Sequence, residues 1–176
     1  IDASVMPDVV ASMTDMSMIA TGSVDGLYSS HNLEHLYPHE VLVAAKEFVR
    51  ILSPEGMALI TLPDLEQVAR SIVEHGLEVP LFHAGQNSVA ALDILYGFRP
   101  AMALGNTYMA HRMGFTANTL AKYLVQAGFC QVDVQPDGAW NLWAVGYKRK
   151  PDPETERMVR RTVFRSKRQT VVFVPG

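Results

Sequence analysis

Two histidines and a glutamate stand close together near the start of the chain, in the pattern H-x-x-E-H formed by His31, Glu34 and His35. On a helix, His31 and His35 would lie four residues apart on one face, where both imidazoles could bind one metal ion. His39 and Glu40 follow nearby as further candidate ligands. The spacing is that of the inverted zinc peptidases, so a zinc hydrolase is one candidate function.

A second group of polar side chains comes much later, where His111 and Arg112 stand beside aromatic and methionine residues in the segment 106–115. Such a mixture could line the pocket of a small molecule, or it could be an ordinary polar rim. Because histidine titrates near neutral pH, His31 and His111 are the candidate general bases of the chain.

The residues around these groups predict an alternation of strands and helices. Apolar positions three and four residues apart predict an amphipathic helix over 38–52, with Pro38 in its first turn. Thr116 and Gly128 bound a second clear helix, over 117–127. The predicted strands are 7–12, 26–30, 57–62, 132–135, 140–148 and 170–174, and the further predicted helices are 65–74, 88–96 and 151–161.

Strands that alternate with helices are typical of an α/β domain with a mostly parallel sheet covered on both faces. The turn signal at 136–138 makes the last two strands of the domain an antiparallel hairpin. Right-handed crossovers place the C-terminal ends of the parallel strands, and any ligand, along one edge. We expect one domain over residues 1–150 with an irregular insertion at 76–113, followed by a C-terminal extension over 151–176.

The composition argues against nucleic acid and membranes as partners. The 176 residues are 48% hydrophobic and carry a net charge of −3, with a pI near 6.1, which gives no electrostatic footprint for nucleic acid or an anionic membrane. No apolar run approaches the ~18–20 residues of a membrane span. Cys130 is the only cysteine, which excludes an intrachain disulfide and fits a reducing cytoplasm. The expected partner is a small molecule, and the sequence leaves a homodimer open.

Five segments in a fixed order carry a family pattern. Residues 25–36 read D-G-L-Y-S-S-H-N-L-E-H-L, residues 49–56 read V-R-I-L-S-P-E-G, and residues 62–64 read L-P-D. Residues 1–16 precede these motifs, and residues 114–129 begin with G-F-T and end with A-G-F before the last hairpin. Together they resemble the class I S-adenosylmethionine-dependent methyltransferases, of the type called methyltransferase domain 11. The resemblance implies a Rossmann-like α/β sheet.

The same resemblance implies S-adenosylmethionine as cofactor and methyl transfer to a small or medium-sized acceptor. It implies that Asp2 accepts the ribose hydroxyls, that Asp15 accepts the adenine amino group and that Met16 packs on the ring. It also implies that Ser30 and His31, at the end of a strand, face the cofactor or the acceptor. The alternatives left open are a solvated terminal aspartate, a helix cap plus a core methionine in the next loop, and a polar cap after the strand.

The family's own L-E-H motif accounts for Glu34 and His35 without a metal, and Pro38 breaks the long helix that a zinc site of this pattern would use. We therefore expect no metal. His31 and His111 are the expected catalytic bases where the acceptor must lose a proton. Two rival functions stay open, namely a non-catalytic scaffold of the same fold and the zinc hydrolase.

The family's first strand and its glycine-rich loop do not occur in the sequence shown. That strand is central in the family's sheet, beside the strand at 26–30, and its loss would leave strand edges unpaired. Three explanations are open: residues precede Ile1 in the natural protein, the chain is a degenerate relative that no longer binds cofactor, or the strand at 171–174 fills the gap. We expect the first, because Ile1 is not a natural start.

Overall fold

The computed structural model of the chain describes residues 6–164 and 170–175. Short 3-10 helices lie at Leu33–His35 and Thr107–Met109. Among the helices of these two ranges, none combines the length and the apolar character that crossing a membrane requires. The α-helices are α1 (Pro38–Ile51), α2 (Leu65–His75), α3 (Ala91–Tyr96), α4 (Arg99–Ala103), α5 (Ala117–Ala127) and α6 (Pro153–Val163). The strands are β1 (Val24–Ser30), β2 (Leu52–Pro63), β3 (Pro80–Ala84), β4 (Asn87–Ala90), β5 (Gln131–Pro136), β6 (Asn141–Tyr147) and β7 (Val171–Phe173).

The main sheet has the strand order β1-β2-β6-β5-β7. The pair β1 and β2 is parallel, whereas β6 runs against both β2 and β5, and β7 runs against β5. Strands β1, β2 and β5 therefore share one direction. The predicted Rossmann-like α/β class is confirmed, and the predicted C-terminal hairpin is the pair β5 and β6.

Strand β1 forms one edge of the sheet, and Tyr28 in its middle is 62% exposed. Strand β7 pairs with β5 at the opposite edge, so the explanation in which the last strand fills the gap beside β1 is wrong. The predicted strand over 7–12 is also wrong, because this segment is irregular, with bends at 8–9 and an isolated bridge from Ser12 to Asp15. Val9 and Val10 are exposed there, since a β-branched pair forms a strand only against a neighbour.

Helix α1 and the start of β2 position the loop that follows β1. Pro38 occupies the first turn, and the Glu40 carboxylate accepts the N–H of Tyr37 at 2.8 Å. The register of β2 then shifts against β1, and a Cβ on Gly56 would lie 3.0 Å from the carbonyl oxygen of Val24. Glycine allows this close approach of two backbones. The buried face of α1 comprises Val41, Ala44, Ala45, Phe48 and Ile51.

The segment 76–113, which the sequence predicts to be an insertion, contains the hairpin of β3 and β4, followed by α3 and α4. Where the sequence predicts one helix over 88–96, the structure has strand first and begins the helix at Ala91. Asp93 is buried at 4% exposure, accepts the N–H of Ala90 at 2.9 Å and pairs with Nε of Arg99 at 2.7 Å. One carboxylate thus ties β4, α3 and α4 together.

Helix α6 packs on the same sheet, with Val159 beside Val145 and Tyr147 of β6. Asp133 of β5 is fully buried, and its carboxylate pairs with Nε of Arg160 on α6 at 3.0 Å. A buried carboxylate needs such a partner, so this pair fixes α6 against the sheet.

Candidate functional site

His31 is the first residue after β1, and its backbone is left-handed with a φ of 51°. Its N–H donates to the carbonyl of Thr61 in β2 at 2.9 Å, so the backbone bonding of the sheet continues one residue past the strand. Left-handed backbone at a residue with a side chain costs on the order of 1–3 kcal/mol and is concentrated at ligand sites. The left-handed backbone that sets the direction of the His31 side chain is therefore energetically unfavourable.

Glu34 lies buried beside His31. It is 1% exposed, and its Oε1 lies 3.2 Å from Nδ1 of His31. Within the residues that the structure describes, no hydrogen bond of acceptable geometry reaches either carboxylate oxygen. The Glu34 contact raises the pKa of the imidazole of His31, and partial burial opposes this rise. A buried carboxylate with its oxygens unsatisfied is rare in folded proteins and calls for an explanation.

His35 and His111 meet at the same place from distant parts of the chain. Their rings lie edge to face with centroids 4.9 Å apart. Nδ1 of His35 lies 3.1 Å from the carbonyl oxygen of Ala110, and Nδ1 of His111 lies 2.8 Å from that of Ile94. A carbonyl can only accept, so each Nδ1 carries a proton and each Nε2 of the neutral ring presents a lone pair. Burial lowers the pKa of His111, which favours its neutral form.

The segment around His111 is held against the Glu34 turn by backbone bonds. The N–H groups of Arg112 and Met113 both donate to the carbonyl of Glu34, at 2.8 and 3.1 Å. The guanidinium of Arg112 also lies 4.6 Å from the ring centroid of Tyr37. The end of the insertion is therefore attached to the turn that carries His31.

A cavity of about 580 Å³ opens beside these side chains. His31 and His111 both lie in its wall. The wall also includes Trp140, which has a left-handed φ of 74°. An apolar concave site with a few convergent polar groups is typical of small-molecule binding. The apolar lining from the insertion comprises Phe82, Val89, Ile94, Phe98 and Met109.

A separate groove of about 290 Å³ follows the edge strand β1. Met16 and Asn32 line it together with Phe48 and Ile51 of α1. Asn32 directly follows His31 in the chain. A single turn after β1 therefore contributes Asn32 to the groove and His31 to the cavity.

The loop that carries Met16 is attached to α1 by two charged side chains. Arg50 donates to the carbonyls of Met16 and Ile19 at 2.8 and 2.9 Å. Glu47 accepts the N–H of Met16 at 2.9 Å and pairs with Arg50 at 2.6 Å. Four backbone and side-chain contacts thus fix the position of Met16 without any regular secondary structure in the loop.

The structure brings the two predicted catalytic histidines together, since His31 and His111 share one cavity. The sequence places Glu34 in the L-E-H motif. It did not predict that the Glu34 carboxylate is buried among three imidazoles. The available signal was the motif itself, in which an acidic residue directly follows the apolar Leu33.

The predicted cofactor residues are more dispersed. Met16 lines the groove, whereas the Asp15 carboxylate accepts the N–H of Ser17 at 3.1 Å and so caps its own turn. Ser30 is the last residue of β1. Asp2 lies outside the described residues. The cofactor-binding role of these four residues, and of His31, stays a prediction.

Comparison with known proteins identifies this architecture. Residues 3–60 match the family model described as a methyltransferase domain. A SAM-dependent methyltransferase of Thermotoga maritima superposes with a TM-score of 0.50 at 13% identity, over 79% of this chain and 62% of its own. The chain has the class I methyltransferase fold. This agrees with the fold that the resemblance predicts.

Two further solved structures superpose on this chain. An O-methyltransferase family protein of Burkholderia thailandensis gives a TM-score of 0.51 at 12% identity, over 81% of this chain and 35% of its own. A Pyrococcus horikoshii protein gives a TM-score of 0.52 at 12% identity, over 80% of this chain and 58% of its own. The chain thus spans less than two thirds of the structures it resembles. No curated protein matches it in sequence.

Proposed function

We propose that the protein transfers a methyl group from S-adenosylmethionine to a small or medium-sized acceptor. The observation that carries this proposal is that two adjacent residues line two different pockets. Asn32 lines the groove along β1, and His31 lines the apolar cavity. A group-transfer enzyme needs two sites that meet at one point. The methyltransferase match over residues 3–60 and the fold support the same reaction.

The lining of the groove fits the adenosine part of such a cofactor. Met16, Phe48 and Ile51 offer an apolar wall for an aromatic ring, and Asn32 adds an amide that can donate and accept hydrogen bonds. When bound, S-adenosylmethionine supplies a methyl group on a sulfonium that is already a good leaving group. The protein's task is therefore mainly to bind and align.

The cavity would hold the acceptor. Its apolar wall favours an acceptor with an aromatic or aliphatic body, and its polar lining includes His31 and His111 together with Asp93 and Asn141. The contact with Glu34 orients the His31 imidazole and leaves its Nε2 available to take a proton from an acceptor hydroxyl or amine. His111 lies in the same wall, and its Nδ1–H donates to the carbonyl of Ile94.

A cytoplasmic location and a homodimeric state stay predictions from the sequence. The size of the cavity, about 580 Å³, supports a small-molecule acceptor, because it is within the range of ligand pockets.

Methyl transfer is tested with methyl-labelled S-adenosylmethionine and a fraction of cell metabolites below the size of proteins. We expect label in one or a few metabolites, and an at least tenfold lower rate for His31→Asn. His75→Asn is the matched control, because His75 is an exposed residue at the end of α2, and its rate should stay unchanged. No label in any metabolite, together with no binding of S-adenosylhomocysteine, would favour a non-catalytic scaffold.

A further inference from the structure

The unexplained group in this region is the Glu34 carboxylate. It is 1% exposed, and none of the described residues gives either of its oxygens a hydrogen bond of acceptable geometry. The contact of Oε1 with His31 at 3.2 Å engages one oxygen at most, so Oε2 faces the interior unpaired. An unpaired buried carboxylate is strongly unfavourable, and buried charges in proteins are paired or bind metal ions.

Two side chains beside Glu34, those of His35 and His111, have the properties of metal ligands. One ligand atom from each of Glu34, His35 and His111 can be chosen so that all three lie within 4.8 Å of one another. The Nδ1–H of each histidine donates to a backbone carbonyl, Ala110 for His35 and Ile94 for His111. That outer bond is the usual support of a metal-bound histidine, because it fixes the tautomer and aims Nε2 at the ion.

We propose that Glu34, His35 and His111 bind one divalent transition-metal ion, for which Zn²⁺ is the probe. Two imidazoles and one carboxylate form a ligand set of zinc and iron(II) sites that keep a coordination position open. Ligands at ~2.0–2.2 Å from an ion lie roughly 3–4 Å apart, so small side-chain rotations from the observed 4.8 Å complete the site. In this arrangement His31 is not a ligand of the ion, but it contacts the Glu34 carboxylate and helps to orient that ligand.

The position of the site also indicates what the open coordination position would face. A void of about 20 Å³ lies against Glu34 and His111, which is enough for one ion or water. Pro63, Ile94 and His111 line both this void and the 580 Å³ cavity. An ion held here would therefore present its open position to a small molecule in the cavity, and it would select one with an oxygen or nitrogen donor.

This inference concerns binding of the ion and does not depend on methyl transfer. Purified full-length protein is treated with a chelator, dialysed and titrated with Zn²⁺ by calorimetry, with Mg²⁺ as the comparison ion. We expect one Zn²⁺ per chain, weak or undetectable Mg²⁺ binding and a rise in melting temperature with Zn²⁺. Glu34→Gln and His111→Gln should each weaken Zn²⁺ binding by at least tenfold, whereas His83→Gln, an exposed histidine outside the trio, should not.

Absence of stoichiometric Zn²⁺ binding by the unaltered protein would overturn the proposal, whatever the variants do. Equal Zn²⁺ affinity in Glu34→Gln and the unaltered protein would also overturn it, because the site would then lie elsewhere. Circular dichroism of each variant shows whether it folds. His35→Gln provides a third test of the ligand set if one of the other variants does not.

Discussion

The carboxylate of Glu34 lies 3.2 Å from Nδ1 of His31, and it links a side chain in the cavity wall to a charge in the protein interior. His31 is half exposed, whereas Glu34 is 1% exposed. The pair is built on the left-handed turn after β1. A strained turn that aims a histidine at a cavity and backs it with a buried acid is the arrangement expected of a working site.

The attachment of the Met16 loop to α1 should control the groove. In Arg50→Lys, the bonds to the carbonyls of Met16 and Ile19 cannot both be kept, because lysine lacks the planar fork of arginine. We expect faster proteolysis of residues 13–21 and an at least threefold weaker affinity for S-adenosylhomocysteine, measured by limited digestion and calorimetry.

Arg70→Lys is the matched control for this change, since Arg70 forms only an exposed pair with Glu66 on α2. Exposed helical pairs contribute little to stability. If Arg70→Lys and Arg50→Lys changed the affinity for S-adenosylhomocysteine equally, the bonds from Arg50 would not be what holds the Met16 loop in place.

How far the sequence predicts this fold depends on where the determining contacts lie. Helix α5 was predicted at its observed limits, because Thr116 and Gly128 bound it through local bonds and a φ of 114°. The strand over 7–12 was wrongly predicted, because strand formation is decided by a partner that composition does not reveal. Local signals thus define helices better than strands.

The same distinction holds for the site. The pattern that contains His31 and Glu34 was visible in the sequence, and His111 was selected as a second candidate. That they share one cavity depends on the backbone bonds from Arg112 and Met113 back to Glu34, which are contacts between distant parts of the chain. Burial of the Glu34 carboxylate follows from those contacts and could not be predicted from local sequence.

The ion pair of Asp93 and Arg99 should make the free energy of unfolding depend on pH. Arg99 holds the pKa of the buried Asp93 below its ordinary value. A lowered carboxyl pKa contributes stability that is present above the unfolded-state pKa of ~3.9 and is lost as pH falls through the folded-state value. We expect Arg99→Gln to lower the free energy of unfolding at pH 7, and the loss should be modest because Arg99 is partly exposed.

Urea denaturation at several pH values measures this difference. The gap between the unaltered protein and Arg99→Gln should shrink as the pH falls below about 4, where Asp93 of the unfolded chain takes up a proton, and should close once the pH is below the lowered folded-state pKa. A gap that stayed constant down to pH 2–3 would show that Arg99 acts through packing of its side chain and not through its charge.

Two glycines of the insertion should respond very differently to alanine. Gly97 and Gly105 both have left-handed φ values, 102° and 94°, but a Cβ on Gly97 would overlap the carbonyl of Met109 while a Cβ on Gly105 meets open space. We expect Gly105→Ala to cost about 1–2 kcal/mol from backbone conformation alone. Gly97→Ala should cost more, by about 2 kcal/mol or above, since the chain after 109 must shift.

The unfolding midpoints of the two variants in urea provide the comparison. Gly97→Ala should also weaken Zn²⁺ binding, because the displaced segment carries His111. Equal midpoints for the two variants would show that the approach of Gly97 to Met109 is not tight in solution.

The most direct test of the account is calorimetric titration of the protein, in its natural full length, with S-adenosylhomocysteine. We predict one binding site per chain, with at least tenfold weaker binding in Met16→Asp and Asn32→Ala. Met18→Asp should bind normally, because Met18 is 61% exposed and does not line the groove. Absence of binding, or equal affinity in all three variants, would contradict a cofactor site along β1.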